Sequence, residues 1–211
     1  MTPRMATLAT RSFIVFSLCV LSVFGYGCGS SNSSTSIGAQ FTPSPTPQAP
    51  LLVKLVPVAS SGALMVVQAV IYGPDTSLDM YAFAFDIKIG DPTIVRYLPG
   101  TAAEGNALTA FSGQSIVTNA AVDAADASHV VIGVSKAGGG AGNGIAGAAA
   151  IIVQMTFQAL KGGTTTLAIT GTSATPSQPP TVLDSALAPI AGITFDASAA
   201  TVTAVASGGG Y

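Results

Sequence analysis

His129 is the only histidine in the chain, and Asp123 and Asp126 lie just upstream of it. A serine–histidine–aspartate relay could draw on these three positions. It would also need a nucleophile held on a sharp strand-to-helix turn, and no serine here sits in a G-x-S-x-G pattern. One histidine with so few cysteines cannot supply an ordinary zinc ligand set. Nine carboxylates remain, several in near pairs: Asp75 with Asp79, Asp86 with Asp91, and Asp123 with Asp126. Calcium takes six or more oxygens, which such pairs could supply only with help from backbone carbonyls, and no EF-hand-type Asp-x-Asp-x-Asp-Gly loop occurs. Turn capping is the simpler reading of these aspartates. No cofactor is therefore expected, with calcium as the alternative. Glu104, the only glutamate, follows a Pro-Gly turn and reads as solvated.

Gly142-Asn143-Gly144-Ile145-Ala146-Gly147 satisfies G-x-G-x-x-G. A phosphate cradle needs a helix N-terminus beneath it and an acidic residue about 20 positions on. A strand follows instead, and residues 161–172 contain no acid, so the pattern reads as a hairpin loop. Sugar sites stack rings on exposed aromatic faces. The chain has no Trp, and Tyr72, Tyr97 and Phe111 are the aromatics open to that role, against the commoner role of filling a core. The site chemistry thus describes a binding protein rather than an enzyme.

The elements that must position these residues alternate with period two. Over residues 80–89, Tyr81, Phe83, Phe85, Ile87 and Ile89 share one face, with Ala82, Ala84, Asp86 and Lys88 opposite. Over residues 150–159, Ile151, Val153, Met155 and Phe157 share a face, with Gln154, Thr156 and Gln158 opposite. Residues 64–72, 94–98, 115–122, 129–135, 164–170, 192–195 and 201–205 read as further strands, separated by Gly- and Pro-rich breaks. His129 then opens a strand, partly exposed. Short strands, frequent turns and no sustained helical period predict an all-β, two-sheet sandwich of about nine strands.

Residues 1–27 carry an export signal. Arg4 and Arg11 precede the apolar run of residues 12–24, which spans only about 20 Å as a helix and is too short for a bilayer of about 30 Å. Gly25-Tyr26-Gly27-Cys28 resembles a bacterial lipobox, which implies lipidation at Cys28. Gly25 stands where lipoboxes carry Leu, and cleavage without lipidation, giving a secreted chain, is the alternative. Cys19 is discarded with the signal, so Cys28 has no partner for a disulfide. Residues 28–50, rich in Ser and Pro, read as a disordered polyproline-type tether; residues 51–207 form the sandwich and residues 208–211 a flexible tail. After processing, five basic residues face nine acidic ones, and no basic cluster exists to hold nucleic acid. Membrane contact is expected only through the lipid anchor.

Four pieces, in order, resemble a cohesin domain: Tyr81-Ala82-Phe83-Ala84-Phe85-Asp86; Thr93-Ile94-Val95-Arg96-Tyr97-Leu98-Pro99-Gly100; Val130-Val131-Ile132-Gly133-Val134-Ser135; and residues 147–163 with their glycine turn. Cohesins are jelly-roll sandwiches, related to some carbohydrate-binding modules, that hold dockerin modules in cellulosome-type assemblies. The resemblance implies a non-catalytic module at the cell surface or in the periplasm, binding a dockerin-type protein partner in polysaccharide breakdown. A carbohydrate-binding module is the alternative. Dockerin-binding members carry polar Asn and Asp just before the aromatic strand, where this chain has Leu78 and Met80. Leu78, Met80, Ala82, Ala84 and Tyr97 are the binding candidates. Ala82, Ala84, Thr156 and Gln158 are expected to leave a flat, weakly polar outer face.

Overall fold

Period-two runs of β-branched and aromatic residues become strands wherever the sequence predicts them. The computed structural model describes residues 36–173 and 177–207, and every regular element among them is a strand. The export signal, Cys28 and the 208–211 tail lie outside the described residues.

In chain order the strands are β1 (Ser36–Thr42), β2 (Leu52–Ser61), β3 (Leu64–Tyr72), β4 (Asp75–Met80), β5 (Ala82–Ile89), β6 (Val95–Tyr97), β7 (Ala103–Glu104) and β8 (Ser115–Val122). They continue with β9 (His129–Ala137), β10 (Asn143–Ile145), β11 (Ala149–Ala159), β12 (Gly163–Thr170), β13 (Thr181–Leu183), β14 (Thr194–Phe195) and β15 (Ala200–Ser207). One sheet has the order β1-β15-β12-β5-β9-β8, with β13 also paired to β5; we call it the front sheet. The back sheet runs β14-β2-β3-β11-β6, with β7 paired to β11, and β10 and β4 form a separate ribbon. This is an all-β jelly-roll sandwich. The fifteen segments exceed the predicted nine because β1, β2 and β4 are not among the predicted strands and short pieces such as β7, β10 and β13 carry too few residues to show a period.

Inward side chains of both sheets meet in one core. Phe83, Phe85, Ile87 and Ile89 of β5 are buried, as are Ile132 and Val134 of β9. Met65, Val67, Met155 and Phe157 face them from the back sheet. Each such side chain contributes roughly 1.5–3 kcal/mol by leaving water. Tyr97, one of the three aromatics open to a sugar-stacking role, takes the commoner core role instead: it is 1% exposed and packs edge-on against Phe157 with ring centroids 5.8 Å apart. It takes the inward parity of Val95 two residues earlier, while Arg96 between them is exposed.

Three expectations are corrected. The polyproline tether ends much earlier than residue 50, because Ser36–Thr42 pairs along its length with β15 and Phe41 is buried. Behind that strand, Lys54 Nζ donates to the carbonyls of Ser44 (2.8 Å) and Thr46, while Asp196 accepts from the hydroxyls of Ser44 and Thr46 (2.9 Å from Thr46). A proline-rich backbone leaves its carbonyls without internal partners, and here a nearly buried lysine takes two of them. In β11 the register shifts between Ile151 and Val153, so Ile152 and Val153 are both buried and Ile151 is only half-buried. Within the glycine-rich segment, Asn143–Ile145 is a short strand paired with β4 rather than open loop.

Candidate functional site

The outward residues of β5, β9 and β8 fall into cross-strand rows. Ala82 pairs with Ser135, and Ser135 with Val117; Ala84 pairs with Gly133, and Gly133 with Asn119; Asp86 pairs with Val131, and Val131 with Ala121. The alternate residues of β5 and β9 are buried, so the named ones are the outer surface. Apart from Asp86, none is charged and none is larger than Val or Asn. The result is a flat patch on three hydrogen-bonded strands, with Val117 half exposed at its free edge. A Cβ built on Gly133 meets nothing within 4 Å, so the middle of the patch is open. On the other side of β5, Thr181 and Leu183 of β13 pair with Ala84 and Ala82 and border it.

Of the predicted binding residues, only Ala82 and Ala84 lie on this patch. Met80 is fully buried, and Leu78 packs half-buried against the core from the β4–β10 ribbon. The cause is local: Tyr81 belongs to no strand, so the alternation of β4 does not run on into β5. Tyr81 instead projects its hydroxyl to the glycine-rich loop, where it accepts from Gly139 N at 3.2 Å. Thr156 and Gln158, grouped with the two alanines above, sit on β11 of the back sheet and so on the other side of the sandwich. Alternation reports in or out, but not which sheet. Val117, Asn119, Ala121, Gly133 and Ser135 were missed as site residues, although the register of their alternation was readable.

Asp86 closes one end of the patch and is fully buried. Its Oδ2 stands 3.2 Å from His129 Nδ1 and accepts from Ser173 N at 2.9 Å; Oδ1 has no partner among the described residues. His129 is thus largely buried, not partly exposed, and its Nε2 lies 3.8 Å from Asp126 Oδ2. Ser173 Oγ donates to Asp123. A serine, a histidine and aspartates do converge here. The hydroxyl is bonded to a carboxylate rather than to the imidazole, and both imidazole nitrogens face carboxylates. The imidazole is not paired with the serine as a triad requires, and the cluster ties the segment after β12 to the sheet as a polar knot.

The remaining aspartates cap turns. Asp75 accepts from Ser77, Asp91 from Thr93, Asp123 from Ala125, Asp126 from Ser128 and Asp184 from Ala186. Side-chain hydrogen bonds from Ser77, Thr93, Ser173 and Ser128, joined by backbone N–H bonds, hold the carboxyls of Asp75, Asp91, Asp123 and Asp126 below the usual range. Among the described residues no group of three or more His, Cys, Asp or Glu side chains is placed to hold a metal ion. At the other end, the Ser185 hydroxyl and then Gly142 N donate to Asp79 and lower its carboxyl, while Lys136 donates to Ala141 O at 2.9 Å over the Phe111 ring. Burial pulls the Lys136 ammonium down, and the Asp79 charge opposes that shift. The glycine-rich loop is therefore clamped by its neighbours rather than shaped around a phosphate.

Comparison with known proteins bears on this geometry. No family model matches the chain, and no curated protein matches it. Among solved structures, the type II cohesin dyad from the adaptor ScaA scaffoldin of Acetivibrio cellulolyticus is similar at TM-score 0.50 and 12% identity, covering 71% of this chain and 47% of the dyad chain. The fold is cohesin-like. The second type II cohesin module of the same scaffoldin gives TM-score 0.49 at 13% identity, covering 68% of this chain and 84% of its own. A cohesin of a type II cohesin–X-dockerin complex from that organism gives 0.49 at 11%, covering 74% and 94%. In this cohesin-like frame the described domain presents two outer sheet faces. On the front face, the rows through Ala82 and Ala84 combine small uncharged side chains with an open centre at Gly133.

Proposed function

We propose that the chain is a non-catalytic docking module whose front face, formed by β8, β9 and β5, receives a dockerin-type protein partner. The observation that carries the proposal is the uncharged patch of Ala82, Ala84, Asn119, Gly133 and Ser135, flat enough to take a partner's helices without prior rearrangement. The sequence resemblance and the cohesin-like fold support a partner of this class. The predicted export signal and the lipobox-like Cys28 support display of the module at a bacterial membrane, in the service of polysaccharide breakdown. The direct glycan-binding alternative loses Tyr97, which is buried; Lys136 stacks over one face of the half-exposed Phe111, and Tyr72 is half-buried.

The test is calorimetric titration with purified dockerin modules from exported proteins of the source organism, beside a glycan array. Binding is expected for a dockerin, with loss on Gly133→Arg at unchanged thermal stability, since that side chain meets open space. Glycan binding without any dockerin binding, or docking indifferent to Gly133→Arg, refutes the assignment. Turnover of a glycan or peptide by the purified chain refutes its non-catalytic character.

A further inference from the structure

One end of the sandwich gathers the start of β1, the end of β15, the β2–β3 turn and the β11–β12 connection. Ser36 pairs with Ser207, Ala39 N donates to Gly62 O at 2.8 Å, and Ala159 N donates to Ala63 O at 2.8 Å. Three large apolar side chains project there into solvent: Leu64 at 40% exposure, Leu160 at 39% and Val205 at 59%. Val205 lies opposite Gly38, which has no side chain to cover it. Beside these residues, Gly38, Gln40, Ser60, Gly62 and Thr203 line a shallow cleft of about 280 Å³. Lys161 follows Leu160 and faces Asp91, while Asp123 and Asp126 cap turns on the far side of the same end.

The first described strand begins at this end, and the seven residues 29–35 separate Cys28 from Ser36, eight Cα-to-Cα steps. Fully extended, they reach about 28 Å at roughly 3.5 Å per residue. With residues 36–50 built into the domain, no long stalk remains between an acylated Cys28 and the first strand. Apolar side chains at a bilayer interface gain by leaving water, and a lipid anchor adds to such a contact what neither provides alone.

We propose that this end of the domain is a membrane-contact surface, with Leu64, Leu160 and Val205 seated at the interface of the bilayer that holds the Cys28 lipid. The inference rests on the anchoring part of the proposed function and not on the docking part. It orients the module: the front face stands upright from the membrane, and the glycine-rich loop at the opposite end of β9 points away from it.

The chain contains no tryptophan, so Leu160→Trp introduces a single reporter in an exposed turn. The exported chain is purified from membranes and placed in vesicles of phosphatidylethanolamine and phosphatidylglycerol with brominated acyl chains; Val117→Trp, on the front face, serves as reference. Quenching at least twofold stronger for Leu160→Trp is expected, and a Leu64→Ser, Val205→Ser background is expected to abolish the difference. Equal quenching at the two positions overturns the proposal. Intact mass of the same preparation reads the anchor separately: an unmodified Cys28 overturns the proposal at its premise. Capture of the dockerin by the same vesicles is scored independently, so a failure of docking is not mistaken for a failure of membrane contact.

Discussion

Replacing Lys54 by Met tests whether the proline-rich segment belongs to the fold. Lys54 is 7% exposed, and its ammonium serves the Ser44 and Thr46 carbonyls on a stretch whose composition reads as a tether. Hydrogen bonds to a charged group contribute about 1.5–3 kcal/mol each, and the part-exposed Thr46 carbonyl recovers some of its loss from water. Methionine retains the apolar stem, so packing changes little. The net cost is then about 3 kcal/mol. For a domain of this length each kcal/mol lowers Tm by roughly 2–4 °C, which gives a fall of about 6–12 °C. Calorimetry on the processed chain measures it. Hydrogen exchange supplies the local reading: the Ser36–Thr42 amides should lose protection before those of β5, because the clamp holds the chain leaving β1. A Tm shift below about 1 °C with β1 exchange unchanged would refute the reasoning, and residues 43–50 would revert to a spacer lying on the surface.

Phe157→Ala removes a fully buried ring from beside Tyr97 and should cost about 3–5 kcal/mol in urea unfolding; a cost below 1 kcal/mol would mean that this core is not packed as described. Burial alone would raise the Asp196 carboxyl, but hydrogen bonds from Ser44, Thr46 and Ser198 outweigh it and leave the group below its usual value. A lowered folded value means stability that is present above the unfolded value near 4 and is lost as pH falls through the folded one. Asp196→Asn should therefore be less stable at pH 7 and show a flatter decline on acidification below about pH 4, read from Tm against pH; parallel curves would dismiss the linkage. Asp86→Ala strips the partner from Ser173 N and from His129 Nδ1 and should cost about 2–3 kcal/mol, with faster exchange of the Ser173 amide, whereas unchanged exchange there would show that the knot does not hold the segment.

Much of the sandwich is legible in its sequence, because residues such as Phe83, Phe85, Ile132 and Phe157 mark an inner face by alternation. What escapes reading has local causes. β1 alternates Ile37, Ala39 and Phe41, but Gly38 between them and the prolines after them dominate the composition. The bulge at Ile152 adds one residue and reverses the parity of Ile151, which no pattern of hydrophobicity announces. Tyr81 breaks parity between Met80 and Phe83, so a residue counted as outward is buried. The candidate site is half legible: Ala82 and Ala84 were placed on an outer face, while their neighbours Gly133, Asn119 and Ser135 arrive only through sheet register. His129 looked exposed because a strand start usually is; a partner distant in sequence, Asp86, buries it.

The polar side chains explain what kind of recognition the front face can perform. Nearly every carboxylate serves the chain's own turns or knots, and Lys136 beside the patch is occupied by Ala141 O and the Phe111 ring, while Lys88 stands exposed on β5 just beyond Asp86. The exposed rows therefore offer a partner shape, backbone flatness and small apolar contacts, with no free charge of their own to steer it. Large anchoring side chains must then come from the partner, packing over Gly133 and between Ala84 and Asn119. An interface without charge pairs is little affected by screening, because salt weakens only the electrostatic part of association. The dissociation constant of the docked complex should change by less than about threefold between 50 and 500 mM NaCl. A tenfold or greater weakening would place recognition on charged residues outside this patch, on the Asp123–Asp126 turns or on Lys88, and would move the docking surface toward the end of the sheet where those residues lie.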